Sequence, residues 1–168
     1  MSQSGQGQFL ADNLQKSIAY GMELAKEIPA EQFAHTPQPN MNHPAWSYGH
    51  LALYPERGFK LMGREDLAQE DEAWNALFKA GVECDADASK YPGKDELLER
   101  FKSRHELVAE LLPGVPDSVF AADLPIPEMA DFFPKIGHAL HFLFANHVMM
   151  HLGQVSTWRR AMGMKRVF

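Results

Sequence analysis

Two histidines four residues apart, His147 and His151, have the clearest chemical potential in this sequence. On a helix, at about 100° per residue, their imidazoles project from the same side one turn apart. The face that they share is otherwise apolar apart from Gln154. Burying two imidazoles there is unfavourable unless their nitrogens are used. Histidines at this spacing can both reach one ion at about 2.0–2.1 Å, so the pair predicts a metal site.

The simpler alternative is a pair of core histidines that are hydrogen-bonded to neighbouring acceptors. The pair is not part of a zinc-protease H-E-x-x-H motif, because Val148 follows His147. A third ligand must therefore come from another helix. We expect His50, which interrupts an apolar stripe, with His105 as the runner-up and His43 as a further alternative at the start of the same stripe. The remaining histidines are expected at the surface or its boundary: His35, His138 and His141.

Apolar residues at helical spacing predict the elements that must position these histidines. Pro44 and Pro134 suit first turns, Pro55 predicts a kink, and Gly63 and Gly163 suit helix ends. Residues 1–8 are expected to form a flexible tail. The predicted helices are four long ones near residues 8–28, 44–62, 94–112 and 134–162 and a short one near 71–80.

The connection over residues 113–133 is rich in proline and is expected to be irregular. It exceeds the two to eight residues, roughly, that usually join bundle helices, so it can cross the length of a bundle. The sequence lacks an alternating strand pattern. We therefore predict an all-α fold, a four-helix bundle formed by a single domain over residues 9–168 with one long crossover.

Composition restricts the class of protein. The chain has 168 residues, a hydrophobic fraction of 45% and a net charge of −6, which argues against nucleic acid as the main partner. The single cysteine, Cys84, cannot form an internal disulfide, so we expect a reducing cytoplasm. A signal-peptide pattern and an apolar run of about 20 residues are both missing, so no membrane partner is expected.

The segment HVMMHLGQVSTWRRAMGM, preceded by WSYGHLALYPER, resembles the DinB/YfiT-like superfamily of metalloenzymes. This resemblance implies a four-helix bundle in which His50, His147 and His151 bind one divalent metal ion, zinc or nickel. Characterised relatives include thiol-dependent S-transferases and a thiol-dependent isomerase. The resemblance therefore implies a small-molecule substrate, a low-molecular-weight thiol among the candidates, and a homodimer. The aromatic residues proposed for the dimer contact lie on short or kinked elements: Trp74, Phe78, Phe132 and Phe133.

Three neutral histidine ligands leave the charge of the ion uncompensated and a coordination position open, as in catalytic sites. Such an ion can lower the pKa of bound water toward ~7 for hydrolysis, or hold a thiol as thiolate for S-transfer. Tyr54 and Gln154 are candidates to orient water or substrate. For Arg57, a salt bridge at the bundle mouth is the simpler interpretation and docking of a substrate carboxylate is the alternative.

A non-catalytic protein, in which the ion only stabilises the fold, is the competing functional hypothesis. A cavity that leads from solvent to the site would favour the enzyme, and a sealed site would favour the structural role. Three other residues are expected to be bystanders. Cys84 is a poor nucleophile because acidic neighbours raise its pKa, Glu56 is solvated, and Met150 belongs to the core together with Trp158.

Overall fold

A computed structural model describes residues 5–167, and over this range the chain is all-α. Strands are missing from the described residues, which contain one isolated antiparallel bridge between Asp123 and Lys135. The helices are α1 (Gly5–Lys26), α2 (Pro44–Leu51), α3 (Tyr54–Leu61), α4 (Glu72–Phe78), α5 (Lys94–Leu111), α6 (Asp117–Ala121), α7 (Ile136–His141) and α8 (Val148–Ala161), with a π-helical segment (Phe142–His147) between α7 and α8.

The first helix begins earlier than the apolar pattern indicated. Residues 5–8 belong to α1, and the rest of the predicted tail, residues 1–4, lies outside the described residues. The predicted stripe is correct, since Leu10, Leu14 and Ile18 are buried. The single domain over residues 9–168 stays a prediction.

The second predicted helix is broken instead of kinked. α2 begins at Pro44, and the Nδ1 atom of His43 caps it by accepting the backbone N–H of Trp46 at 3.1 Å. α2 ends at Leu51, and α3 restarts at Tyr54. Pro55 has no N–H to donate to the carbonyl of Leu51, which accounts for the position of the break.

The short helix α4 is confirmed, but its aromatic residues have a different role from the one expected. Trp74 and Phe78 are 4% and 0% exposed and belong to the core, so they are not available for a dimer contact. Phe132 is 82% exposed, and Phe133 is partly buried against the core. Only part of the proposed aromatic contact surface therefore exists in the described chain.

The connection after α5 is not wholly irregular, because residues 117–121 form the short helix α6. The connection is tied back to the last helical stretch, since the N–H of Ile136 donates to the carbonyl of Ala122 at 2.9 Å. Helical structure begins at Ile136, so Pro134 precedes the first turn instead of occupying it.

The last helical stretch changes its hydrogen-bonding pattern in the middle. We expected one α-helix, but residues 142–147 form a π-helical turn. Such turns insert an extra residue and are frequent at functional sites. The stretch ends as expected before Gly163, whose φ of +73° suits glycine. Trp158 is buried, whereas Met150 is 51% exposed and does not belong to the core.

Packing between the helices brings α2 and α8 together. α1 packs against α5 and α8, and α2 also packs against α5 and α8. Gly21 in α1 allows a close approach, because a Cβ there would lie 3.1 Å from atoms of Phe101 and Leu152. Within residues 5–167, none of the helices combines the length and apolar character that a membrane crossing requires.

Candidate metal centre

The structure brings together the three histidines that the sequence singled out. One ring nitrogen from each of His50, His147 and His151 lies within 4.8 Å of the others. All three side chains are buried, at 3–5% exposure. The ring centroids of His50 and His147 lie 4.6 Å from that of His151. Residues distant in sequence therefore form one compact nitrogen cluster between α2 and the last helical stretch.

His50 is held by a backbone carbonyl and an indole ring. Its Nδ1 lies 2.6 Å from the carbonyl oxygen of Phe78, which can only accept a hydrogen bond. The proton is therefore on Nδ1, and the lone pair of Nε2 faces the cluster. The ring also stacks on Trp46 at a centroid distance of 4.5 Å. The end of α4 thus fixes the tautomer and the orientation of this ligand.

His151 is oriented by a side-chain amide. Its Nδ1 lies 3.0 Å from Oε1 of Gln154, and the same oxygen accepts a hydrogen bond from Nδ2 of Asn42 at 3.2 Å. His151 therefore donates from Nδ1 and keeps the lone pair of Nε2 free. Gln154 therefore contacts the Nδ1 side of the His151 ring and orients the imidazole.

His147 has the geometry of a ligand that shares an ion with His50. The two Nε2 atoms are 3.2 Å apart. Two ligands at about 2.0–2.1 Å on a tetrahedral ion are about 3.3 Å apart, so the separation fits a shared ion. In the metal-free protein it is also a hydrogen-bond distance. The Nδ1 atom of His147 is buried and has no hydrogen-bond partner among the described residues.

The electrostatics of the cluster favour neutral imidazoles. Burial is the main cause that lowers the pKa of His50 to about 4 and the pKa of His147 to about 3. Burial also lowers the pKa of His151. All three imidazoles are therefore uncharged at neutral pH, which is the charge state that metal binding requires. The donor set and its spacing could hold one metal ion.

The alternative third ligands lie outside the cluster. His105 is fully buried and its Nδ1 donates to the carbonyl of Phe101 at 2.7 Å, while its Nε2 has no partner among the described residues. His43 is engaged on both nitrogens, because its Nε2 contacts the carbonyl of Asp85 at 2.9 Å. The three histidines expected near the surface are exposed: His35, His138 and His141.

Two of the proposed helper residues lie beside the cluster. The ring of Tyr54 contacts those of His147 and His50, at centroid distances of 4.3 and 5.0 Å, and burial raises the pKa of its hydroxyl. The guanidinium carbon of Arg57 lies 5.0 Å from the centre of the Tyr54 ring. The prediction that Arg57 forms a salt bridge is wrong, because Arg57 takes part in none of the ion pairs among residues 5–167.

A cavity of about 530 Å³ leads to the cluster. It opens to solvent, because exposed residues such as Arg57 and Lys60 form part of its wall, and the buried His147 forms another part. The wall consists of Tyr54, Arg57, Lys60, Leu61, Ala80, Leu124, Ile126, Met129, Phe133, Ala139, Phe142, Leu143 and His147.

Several contacts near the site have no clear signal in the sequence. Glu56 was expected in solvent, but it is 9% exposed and forms two hydrogen bonds with Arg104, at 2.7 and 2.8 Å. This ion pair joins α3 to α5. The contact of the Phe78 carbonyl with His50 could not be predicted, because every residue carries a backbone carbonyl.

The pKa of Cys84 is raised, as expected, but burial contributes more to this shift than the acidic neighbours do.

Comparison with known proteins agrees with the site. Searches of characterised proteins and of solved structures found no match. A family model, described as the DinB superfamily, matches residues 14–155, which include all three histidines of the cluster. The match covers most of the chain and agrees with its helical structure and buried three-histidine group. The chain belongs to the DinB superfamily.

Proposed function

We propose that this protein is a metal-dependent enzyme that transfers a low-molecular-weight thiol to a small organic substrate. The ion, zinc or nickel, would be held by His50, His147 and His151. The observation that carries this proposal is the solvent-accessible cavity whose wall includes His147. A purely structural ion does not need such an access route, whereas a catalytic site needs an open position that substrate can reach.

The side chains around the cavity would bind and orient the reactants. A divalent ion supplies Lewis-acid chemistry that lowers the pKa of a thiol or a water. Tyr54 keeps its proton at neutral pH, since burial raises its pKa further above the ordinary 10.0, and can donate a hydrogen bond to substrate beside His147. Gln154 holds the His151 ring in its ligating tautomer. The apolar part of the wall would bind the hydrocarbon part of the substrate.

Thiol transfer is preferred over hydrolysis because the cavity wall is mostly apolar. The aromatic and aliphatic side chains suit an organic substrate and a sulphur nucleophile better than a pool of water. Hydrolysis by an activated water remains the second reaction of the same site. A metal-stabilised protein without activity is the competing hypothesis, and the ion would then join α2 to α8.

The experiment begins with elemental analysis of protein purified without added metal, which should show about one zinc or nickel ion per chain. The protein is then assayed with 1-chloro-2,4-dinitrobenzene and a panel of low-molecular-weight thiols. We expect thiol-dependent product formation that His147→Ala abolishes. His138→Ala is the matched control, because His138 is exposed, and it should retain both metal and activity.

Other outcomes separate the alternatives. Ester hydrolysis that proceeds without a thiol would favour the hydrolase. A bound ion that raises the melting temperature, with no turnover of either substrate class, would favour the structural role.

We further propose that the chain forms a single-domain four-helix bundle and works as a cytoplasmic homodimer. The packing of α1 and α2 against both α5 and α8 supports the bundle. The single cysteine supports a reducing compartment. Exposed apolar residues near the cavity support self-association: Ile126, Met129 and Phe132. Sedimentation of a monomer at micromolar concentration would contradict the dimer.

A further inference from the structure

We infer that the substrate of this cavity is an amphipathic anion, with an apolar body and one acidic group that pairs with Arg57. This inference rests on the proposed function only in placing the reacting end of the molecule near His147. Binding of the acidic group depends on residues outside the histidine cluster, so it can be tested without a metal ion.

The cavity wall is apolar except at four positions. Its polar members are Tyr54, Arg57, Lys60 and His147, and none of the described residues that line it carries a carboxylate. The whole chain carries a net charge of −6, so a wall with cations and no acid is a local reversal of sign. A volume of about 530 Å³ suits a small organic molecule. The wall therefore selects an apolar ligand and repels cations.

Arg57 is the cation in this wall that has no ion pair among the described residues. Lys60 is already paired, because its Nζ lies 2.8 Å from Oε1 of Glu70. The neighbouring carboxylate of Glu56 is engaged by Arg104 and by the backbone N–H of Gln69. The guanidinium of Arg57 thus keeps its hydrogen-bond donors available to a ligand.

A second, polar depression borders Arg57 on its other side and contains acidic residues. Three of its four acids are already paired: Glu56 with Arg104, Glu70 with Lys60, and Asp71 with Arg100 at 2.7 Å. The fourth, Glu72, is exposed and forms no ion pair with Arg57 among the described residues. The Tyr54 ring also lies 5.0 Å from the guanidinium carbon of Arg57. This contact holds the guanidinium against Tyr54, which belongs to the wall of the apolar cavity.

The positions of Arg57 and His147 define the two ends of the ligand. Both contact the ring of Tyr54, Arg57 at 5.0 Å from its guanidinium carbon and His147 at a centroid distance of 4.3 Å. A small molecule lying along Tyr54 can therefore touch both. Arginine binds a carboxylate through two parallel hydrogen bonds, so a carboxylate is the acidic group that fits best.

The test uses metal-free protein and two probes of nearly the same size and shape, the anionic 4-phenylbutanoate and the neutral 4-phenylbutanamide. Isothermal titration calorimetry should show that the acid binds at least about tenfold more tightly than the amide, as a charge-assisted pair predicts. Arg57→Gln should remove this difference, and Arg57→Lys should keep part of it, because lysine retains the charge without the planar fork.

Arg160→Gln is the matched control, because it removes the same charge from an exposed position outside the cavity wall. It should keep the full preference for the acid. Circular dichroism verifies that each variant is folded. Equal binding of acid and amide by the unmodified protein would overturn the inference, as would an acid preference that survives Arg57→Gln. Absence of binding by both probes would also overturn it.

The same experiment separates this inference from the proposed function. An acid preference that depends on Arg57 supports the inference even if His147→Ala leaves the metal content unchanged, a result that would contradict the metal site alone. Conversely, a protein that binds metal through His147 but shows no acid preference overturns the inference and leaves the proposed metal site standing.

Discussion

The hydrogen bond from His151 to Gln154 gives a sharp test of the candidate metal centre. Gln154→Ala removes the oxygen that accepts the Nδ1 proton of His151 at 3.0 Å. The imidazole then loses the partner that fixes its tautomer and ring orientation. We expect the metal affinity to fall by about 10- to 100-fold, as is typical when a partner of a metal-ligating histidine is removed. This loss corresponds to about 1.4–2.7 kcal/mol.

Two further variants determine whether the oxygen itself is responsible. Gln154→Glu retains an acceptor and makes it anionic, so it should preserve or increase the affinity. Asn42→Ala removes only the second hydrogen bond to the same oxygen, at 3.2 Å. Because His151 keeps its acceptor, the affinity should fall less than in Gln154→Ala.

The assay is a competitive titration of zinc against a chromophoric chelator at pH 7.5, with circular dichroism to verify folding. Unchanged affinity in Gln154→Ala would refute the argument that His151 binds the ion through Nε2 while Nδ1 donates to Gln154. An equal loss in Asn42→Ala and Gln154→Ala would indicate a general disturbance of this part of the protein.

Three further predictions concern the ligands, pH and stability. His147→Ala should abolish metal retention measured by elemental analysis, whereas His105→Ala should retain it, because His105 lies outside the nitrogen cluster. Burial holds the pKa of His50 near 4 and that of His147 near 3, both below the ordinary 6.5. Between pH 6.5 and pH 4 these histidines bind more protons in the unfolded chain than in the folded one. The free energy of unfolding of the metal-free protein should therefore fall as the pH drops from 6.5 toward 4, by about 1.4 kcal/mol per pH unit for each histidine, in urea titrations. Arg104→Ala leaves Glu56 buried without its ion-pair partner and should lower that free energy by about 3 kcal/mol in the same assay, whereas a change below 1 kcal/mol, roughly, would contradict it.

The sequence by itself determined the helical class and the candidate ligands. Helical periodicity is a local property, so it placed His147 and His151 on one face. The apolar stripe around His50 likewise indicated a buried face on another helix. Proline and glycine act on their own backbone, which is why the helix end before Gly163 was predicted correctly. The effect of Pro55 was predicted only in part, because Pro55 separates two helices instead of bending one.

Only the tertiary structure decided what surrounds the ligands. The carbonyl of Phe78 orients His50 across 28 residues of sequence, and Asn42 contacts Gln154 across 112. Such contacts depend on which backbone groups and side chains packing brings together, and backbone carbonyls are the same in every residue. The π-helical turn before His147 was not predicted, and the salt bridge preferred for Arg57 was wrong, for the same reason. Both depend on neighbours in space, and neither follows from the spacing of residues along the chain.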